Sequence, residues 1–149
     1  MMKDDIYFMK RALMQAEIAR KHDEVPIGAV IVKDGNVIAR AYNRRESSKD
    51  PLAHAEILAI KKASKRLGSW RLSGCTLYVT LEPCPMCSGV IMNARIPRVI
   101  YGASDPKAGT YGSIYDLNSY HVNHKPEVTG GVLKEECSSL LSSFFRKKR

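Results

Sequence analysis

The sequence contains no long run of apolar residues, and this lack excludes several classes of protein. No stretch approaches the about 18 consecutive apolar residues that a membrane span requires. The first residues, Met1 to Asp5, lack the apolar core of a secretory signal peptide. Internal repeats, linkers and low-complexity segments are also missing. We therefore expect one cytoplasmic domain over residues 1–149, with a sizeable core drawn from the 44% of residues that are hydrophobic.

Acidic residues are outnumbered by basic ones. The chain has 24 Lys and Arg against 15 Asp and Glu, a formal net charge of +9. A surplus of this size suits a polyanionic partner such as a nucleic acid. A basic surface without such a partner fits equally well, because net charge reports on non-specific association and not on a site. The charge alone leaves both interpretations open.

Cysteine is scarce, with only four residues, at positions 75, 84, 87 and 137. In an intracellular chain, the C-x-x-C pair Cys84 and Cys87 predicts metal binding or redox chemistry before a structural disulfide. At the first turn of a helix both sulfurs lie on one face, and the positive end of the helix dipole favours thiolates. Cys75 and Cys137 are interpreted as small buried apolar residues.

An upstream histidine and glutamate favour metal binding over redox chemistry for these two cysteines. His54-Ala55-Glu56 supplies one imidazole and one spare carboxylate. An imidazole and two thiolates suit Zn²⁺ and leave the fourth tetrahedral position open for a water molecule. Zinc lowers the pKa of such a water towards about 7, and Glu56 could pass its proton to a leaving group. We predict one Zn²⁺ per chain, held by His54, Cys84 and Cys87, with Glu56 as the catalytic residue.

Hydrophobic periodicity predicts helices alternating with strands. A first helix, capped by Asp4 or Asp5, directs Ile6, Met9 and Leu13 to the core. Strand–helix–strand order in the second half implies parallel neighbours, whereas an Asp-Gly turn joins the first two strands into an antiparallel hairpin. The other helices are predicted at 51–67, 85–94 and 133–145, and the strands at 25–32, 37–41, 75–81, 98–101 and 128–132.

The helix predicted from Pro51 to Leu67 has His54 and Glu56 near its start. Residues two apart point to nearly opposite sides of a regular helix. His54 is therefore expected at or before the first turn, where the backbone is not yet regular. Asp50 as N-cap and Pro51 as first helical residue fit this requirement, although the register stays open.

The pattern H-x-E…P-C-x-x-C is the signature of zinc-dependent nucleobase deaminases. Almost the whole chain resembles the bacterial family of tRNA-specific adenosine deaminases, within the cytidine deaminase-like superfamily. The matching segments are VPIGAV (25–30), AHAE (53–56), TLEPC (80–84), RIPRV (95–99), GASD (102–105) and FFR (144–146). The last two, GASD and FFR, are more particular to the tRNA-specific family.

The resemblance implies an α/β fold, a three-layer α/β/α sandwich with a mixed sheet of about five strands. It implies a single zinc-dependent deaminase domain that hydrolyses adenosine to inosine at wobble position 34 of tRNA and releases ammonia. It also implies a homodimer that binds the tRNA anticodon loop across both subunits. The resemblance places Asn43 on the target base and Asp105 in the substrate-contacting loop. The other residues that we predict to bind substrate are Ile27, Ala55, Lys107, Asn123, Phe144, Phe145 and Arg146.

Two other functions stay open beside the tRNA enzyme. A deaminase of a free base or nucleoside, such as guanine or cytosine, shares zinc and glutamate but has no use for the basic tail 146–149 and the aromatic pair Phe144 and Phe145. A non-enzymatic zinc or redox domain has no need for Glu56. Phe144 also fits the apolar side of the last helix, so we expect Phe145 and the tail to contribute more to RNA binding. His121 and His124 have no accompanying thiol or carboxylate cluster, and RNA contact or plain surface is favoured there over a second metal.

Overall fold

A computed structural model describes residues 3–148, and Met1, Met2 and Arg149, the last residue of the predicted basic tail, lie outside the described residues. Each predicted helix and strand is present in that range; the helix at 85–94 and the strand at 75–81 have the predicted ends, and each of the other elements predicted with bounds has at least one shifted end. The helices are α1 (Asp5–Lys21), α2 (Ala55–Leu67), α3 (Pro85–Ala94) and α4 (Lys134–Lys147), with a 3₁₀ turn at Leu117–Ser119. The strands are β1 (Gly28–Lys33), β2 (Asn36–Tyr42), β3 (Cys75–Leu81), β4 (Arg98–Ala103) and β5 (Glu127–Thr129).

The five strands form one mixed sheet in the order β2-β1-β3-β4-β5. Strand β1 is antiparallel to both of its neighbours, whereas β3, β4 and β5 run parallel. The hairpin between β1 and β2 turns at Asp34 and Gly35, with φ values of 52° and 77°. Two positive φ values match the twist of a tight hairpin, so the predicted turn and the predicted mixed sheet are confirmed.

Helices cover both faces of the sheet because its residues alternate between two cores. Ala29 and Ile31 of β1 belong to the core beneath α2 and α3, whereas Val30 and Val32 belong to the core beneath α1 and α4. This period of two is the pattern of a strand buried on both sides. The predicted three-layer α/β/α arrangement follows directly. No helix in the described part of the chain is long and apolar enough to cross a membrane.

Close packing of α1 on β1 depends on small residues. A Cβ atom at Gly28 would overlap backbone atoms of Ala12 and Ala16 on α1. Ala12, Ala16 and Ala19 are fully buried on the same side of the helix. A larger residue at any of these positions would push the helix away from the sheet. This contact holds the beginning of β1, and with it Ile27, in place.

In the first helix, the structure confirms the predicted cap and corrects one predicted core residue. Asp4 is the N-cap, and its side chain accepts the N–H of Tyr7 at 2.9 Å. Ile6, predicted to face the core, is 48% exposed, and Phe8 is buried instead at 4%. With the helix starting at Asp5, the inward face passes through Phe8 and Met9, which leaves Ile6 on the solvent side.

The second helix begins later than predicted. It starts at Ala55 and not at Pro51, and His54 is its N-cap with extended backbone angles of −77° and 149°. Asp50 instead accepts the N–H of Leu52 at 2.9 Å, which forms a local turn that ends before the helix. The expectation that His54 lies before the first regular turn is confirmed, whereas Asp50 and Pro51 do not start the helix.

Candidate active site

Two helices begin at the same place in the molecule. His54 is the N-cap of α2 and Cys84 is the N-cap of α3, each with an extended backbone. The N–H of Leu58 donates to the carbonyl of His54 at 3.1 Å, and that of Ser88 to the carbonyl of Cys84 at 2.9 Å. The positive ends of both helix dipoles therefore lie beside these side chains and favour anions there.

The three predicted metal ligands are brought together. Nδ1 of His54 lies 3.7 Å from the sulfur of Cys84 and 3.5 Å from that of Cys87. All three ligand atoms lie within 4.8 Å of one another. Ligands about 2.0–2.3 Å from a tetrahedral zinc ion are separated by about 3.5 Å, so this nitrogen and these two sulfurs fit such an ion. They could hold a metal.

Shared protons link the three side chains. The hydrogen bond from Cys87 lowers the pKa of Cys84 to about 4, whereas the same contact raises the pKa of the Cys87 thiol. The contact with Cys84 also raises the pKa of His54. Metal ligands must be deprotonated, so a cation in this position would replace the shared protons and meet two thiolates and a neutral imidazole.

Glu56 lies in the first turn of α2, on the wall of the cavity that His54 and Cys84 also line. Its side chain is buried, and burial raises the pKa of Glu56 to about 7. A carboxyl group with such a pKa accepts and donates protons with equal ease at neutral pH. The position and the pKa of Glu56 thus suit a general acid and base beside the cluster.

The cavity beside the cluster, here called the catalytic pocket, has a volume of about 210 Å³. Asn43 is buried in its wall, where its amide donates to the carbonyl of Val25 and accepts the N–H of Arg45, each at 3.2 Å. One amide hydrogen and one oxygen lone pair are left over for a ligand. The predicted substrate-binding residues that line this pocket are Ile27, Asn43, Ala55 and Asp105.

A second cavity of about 890 Å³, here called the flanking groove, adjoins the catalytic pocket. Both cavities are lined by Val25, Arg45, Leu81 and Asp105, so they meet at these residues. Three further predicted substrate-binding residues line the flanking groove. They are Lys107, Phe145 and Arg146.

Phe144 and Asn123 lie outside both cavities. Phe144 is buried at 8% exposure and supports the ring of Phe145, which is 48% exposed and lies 5.4 Å away between centroids. Lys148 of the basic tail pairs with Asp23, which ties the end of α4 to the loop after α1. Asn123 is exposed on the surface. The substrate-binding roles of Phe144 and Asn123 stay predictions.

The two downstream histidines differ from each other. His124 is partly buried, and its Nε2 contacts the carbonyl of Ile96 at 2.6 Å, so its ring has a structural partner. His121 is exposed. Within residues 3–148, three or more potential metal ligands lie together at His54, Cys84 and Cys87, and neither downstream histidine belongs to that group.

Sequence reasoning missed three residues around the pocket. Arg45 lies at the junction of the two cavities, but in the sequence it is one cation within a polar loop. Glu24 is buried at 1% and accepts the N–H of Glu46 at 3.0 Å, which holds that loop. Glu82 is buried at 2% and accepts N–H groups of the loop after β4. Glu82 alone gave a signal, because it follows an apolar strand, where an unpaired charge is costly; Glu24 lies among the polar and charged residues 21–24.

Comparison with known proteins points to deaminases throughout. Residues 2–149 match the family model of MafB19-like deaminases. The chain is 51% identical over 150 residues to the tRNA-specific adenosine deaminase of Bacillus subtilis (strain 168), covering 100% of this chain and 92% of the relative. A solved structure from a study of A-to-I editing by tRNA:A34 deaminases at the wobble position matches with a TM-score of 0.88 and 48% identity, covering 91% of this chain and 99% of the other. The guanine deaminase of Bacillus subtilis matches with a TM-score of 0.66 and 36% identity, over 81% and 87% of the two chains.

Proposed function

The chain belongs to the MafB19-like deaminase family, and from its identity to tRNA-specific adenosine deaminases we propose that it hydrolyses adenosine to inosine at wobble position 34 of tRNA, with release of ammonia. One structural observation supports RNA as the substrate, in addition to deamination as the reaction. The catalytic pocket opens into a flanking groove with an exposed aromatic ring, Phe145, and the cations Arg45, Lys107 and Arg146. A pocket for one base beside an aromatic, basic groove suits a nucleotide within an RNA loop.

His54, Cys84 and Cys87 are proposed to hold one Zn²⁺ per chain, which fits their one nitrogen and two sulfurs. When bound, zinc acts as a Lewis acid that lowers the pKa of a water molecule towards about 7. The N-terminal ends of α2 and α3 favour the thiolate forms of the cysteines.

Glu56 moves the protons of the reaction. It takes a proton from the attacking water and delivers it to ring nitrogen N1 of adenine, while the water oxygen bonds to C6. Glu56 then takes the proton of the new C6 hydroxyl and gives it to the amino group. The bond from C6 to that nitrogen breaks, ammonia leaves, and the C6 oxygen becomes the carbonyl of inosine. The pKa of Glu56 near 7, raised by burial, allows both directions of transfer at neutral pH.

The remaining predicted residues bind the substrate in this scheme. Ile27 and Ala55 pack against the base, and the free amide hydrogen and lone pair of Asn43 recognise its edge. The base reaches the pocket after it is splayed from the anticodon loop, as in other enzymes that act on a base. Phe145 stacks on a neighbouring base in the flanking groove, and Lys107 and Arg146 attract phosphates.

Three broader features complete the proposal. Residues 1–149 form a single domain, since two cores share one sheet through the described range. Two chains form a homodimer that binds the anticodon loop across both subunits, as the resemblance implies. The enzyme works in the cytoplasm, where its tRNA substrate is found.

A free-base deaminase is the second candidate, favoured by the 36% identity to the guanine deaminase of Bacillus subtilis. It needs the same cluster and Glu56 but no flanking groove. The two functions separate when the zinc-loaded enzyme is incubated with total tRNA, an anticodon stem-loop, free adenine, guanine and cytosine, followed by nucleoside analysis. We expect inosine in the tRNA and in the stem-loop. Faster turnover of a free base than of tRNA would overturn the proposed substrate.

A further inference from the structure

The carboxylate of Glu82 is buried among donors from a single loop. One oxygen accepts the N–H of Asp105 at 3.0 Å, and the other accepts the N–H of Tyr111 at 2.9 Å and that of Ser113 at 3.3 Å. The hydroxyl of Ser113 donates as well. With four donors around it, this buried carboxylate is compensated by hydrogen bonds from residues 105–113, here called the substrate loop.

Glu82 also lies beside the metal cluster in the chain. It follows β3 and comes two residues before Cys84, and its own N–H donates to the carbonyl of Ala103 at 2.8 Å. The adjacent carbonyl of Pro83 accepts the N–H of Thr110 at 3.1 Å and the hydroxyl of Thr110 at 2.9 Å. The segment that leads into α3 is therefore bound to both ends of the substrate loop.

We propose that Glu82 is a positioning residue that fixes the substrate loop, and through it Asp105, against the base in the catalytic pocket; this inference rests on the proposed function. Asp105 and Ala108 of the loop line that pocket. Oδ1 of Asp105 accepts the N–H of Lys107 at 3.0 Å, so the carboxylate is oriented from within the loop as well. A displaced Asp105 would weaken the binding of the base, whereas the proton transfers of Glu56 would be affected less.

The backbone of the loop packs closely against this carboxylate. A Cβ atom at Gly109 would overlap the carboxylate of Glu82, so the loop approaches it as only glycine allows. A glutamine at position 82 keeps one acceptor oxygen but turns an NH₂ group towards N–H donors. The Glu82→Gln variant should therefore loosen the loop while the side chain keeps its size.

The test compares Glu82→Gln with Glu135→Gln, which changes an exposed glutamate in the first turn of α4. In the zinc-loaded Glu82→Gln enzyme we expect unchanged zinc content and about tenfold faster hydrogen exchange of the amides of Asp105, Tyr111 and Ser113. With an anticodon stem-loop as substrate, KM should rise about tenfold with a smaller fall in kcat. Glu135→Gln should match the wild type in every measurement.

Two further variants separate positioning from a general loss of stability. Ser113→Ala removes one donor and should shift KM and exchange in the same direction by less, even if Glu82→Gln fails to fold. Combined with Asp105→Ala, Glu82→Gln should add little to the increase in KM, because both changes act through the same residue. Unchanged exchange in both Glu82→Gln and Ser113→Ala, or fully additive effects with Asp105→Ala, would overturn the inference. If the wild-type enzyme leaves the stem-loop unmodified, the proposed function is refuted instead. Hydrogen exchange would still test whether Glu82 fixes the substrate loop.

Discussion

Arg45 and Asp105 both line the catalytic pocket and the flanking groove, so they lie where the two cavities meet. A nucleotide whose base occupies the pocket and whose neighbours lie in the groove must pass its backbone through this junction. Arg45 is exposed and positively charged there. It is therefore the side chain best placed to attract a phosphate next to the target base.

The first prediction concerns this contact. Arg45→Ala should weaken tRNA binding and reduce the slope of log affinity against log salt by about 1, because one phosphate contact releases about one counterion. Arg44→Ala is the matched control, since Arg44 lies over the ring of Tyr42 and lines neither cavity. Binding measured across a salt series gives both quantities. Equal effects of the two substitutions would show only that net charge matters.

The second prediction tests the proton transfer. Glu56→Gln should retain zinc and lose activity by about 10²-fold to 10⁴-fold, because the amide keeps the shape of the side chain but cannot carry protons. Inosine formation in tRNA measures turnover, and metal analysis checks for about one zinc per chain. Activity close to that of the wild type would refute the role given to Glu56.

The third prediction tests the ligand set. Cys84→Ala and Cys87→Ala should each lose zinc, activity and thermal stability, because the cluster joins the starts of α2 and α3. Cys75→Ala should keep zinc, since Cys75 is buried in the core away from the cluster. Metal analysis of the three variants decides the point. A redox pair would instead form a reversible Cys84–Cys87 disulfide under mild oxidation, with no metal in the purified protein.

Local patterns were enough to predict the helices and strands, and the resemblance to the deaminase family added the three-layer fold. The ligands and Glu56 stand in two short motifs, whereas the alternation of Ala29 and Val30 between two cores is hidden in a continuous apolar run. The contacts of Glu82 were not predictable, because its donors lie 23 to 31 residues further along the chain. The start of α2 was misjudged because Asp50 can cap either a helix or a turn, and tertiary contacts decide between them.

The fourth prediction concerns stability in acid. Partial burial disfavours the charge of Asp5, but hydrogen bonds from Arg98 and Tyr78 outweigh it and hold the pKa of Asp5 below its ordinary value. A lowered pKa in the folded state adds stability above the unfolded pKa of about 3.9, and this is lost as the pH falls through the folded value. Asp5→Asn should therefore be less stable than the wild type near neutral pH.

The difference in unfolding free energy between the wild type and Asp5→Asn should shrink below about pH 4, as Asp5 of the wild type becomes protonated. Urea unfolding of both proteins from pH 3 to pH 7 measures this difference. Any loss of zinc in acid lowers the stability of both proteins equally, because both carry the same cluster, and it therefore does not change the difference. A difference that stays constant over this range would mean that the charge of Asp5 contributes nothing to the fold.

The last prediction separates two adjacent aromatic rings at the end of α4. Phe144 is 8% exposed and packs in the core, so Phe144→Ala should cost about 3–5 kcal/mol of unfolding free energy and lower the melting temperature. Phe145 is 48% exposed and lines the flanking groove, so Phe145→Ala should leave stability nearly unchanged and weaken RNA binding by about 1–3 kcal/mol. Because stacking involves no counterion, this loss should be the same at every salt concentration, in contrast to that of Arg45→Ala. Normal RNA binding by Phe145→Ala, or a loss of affinity that vanishes at high salt, would show that Phe145 does not stack on a base.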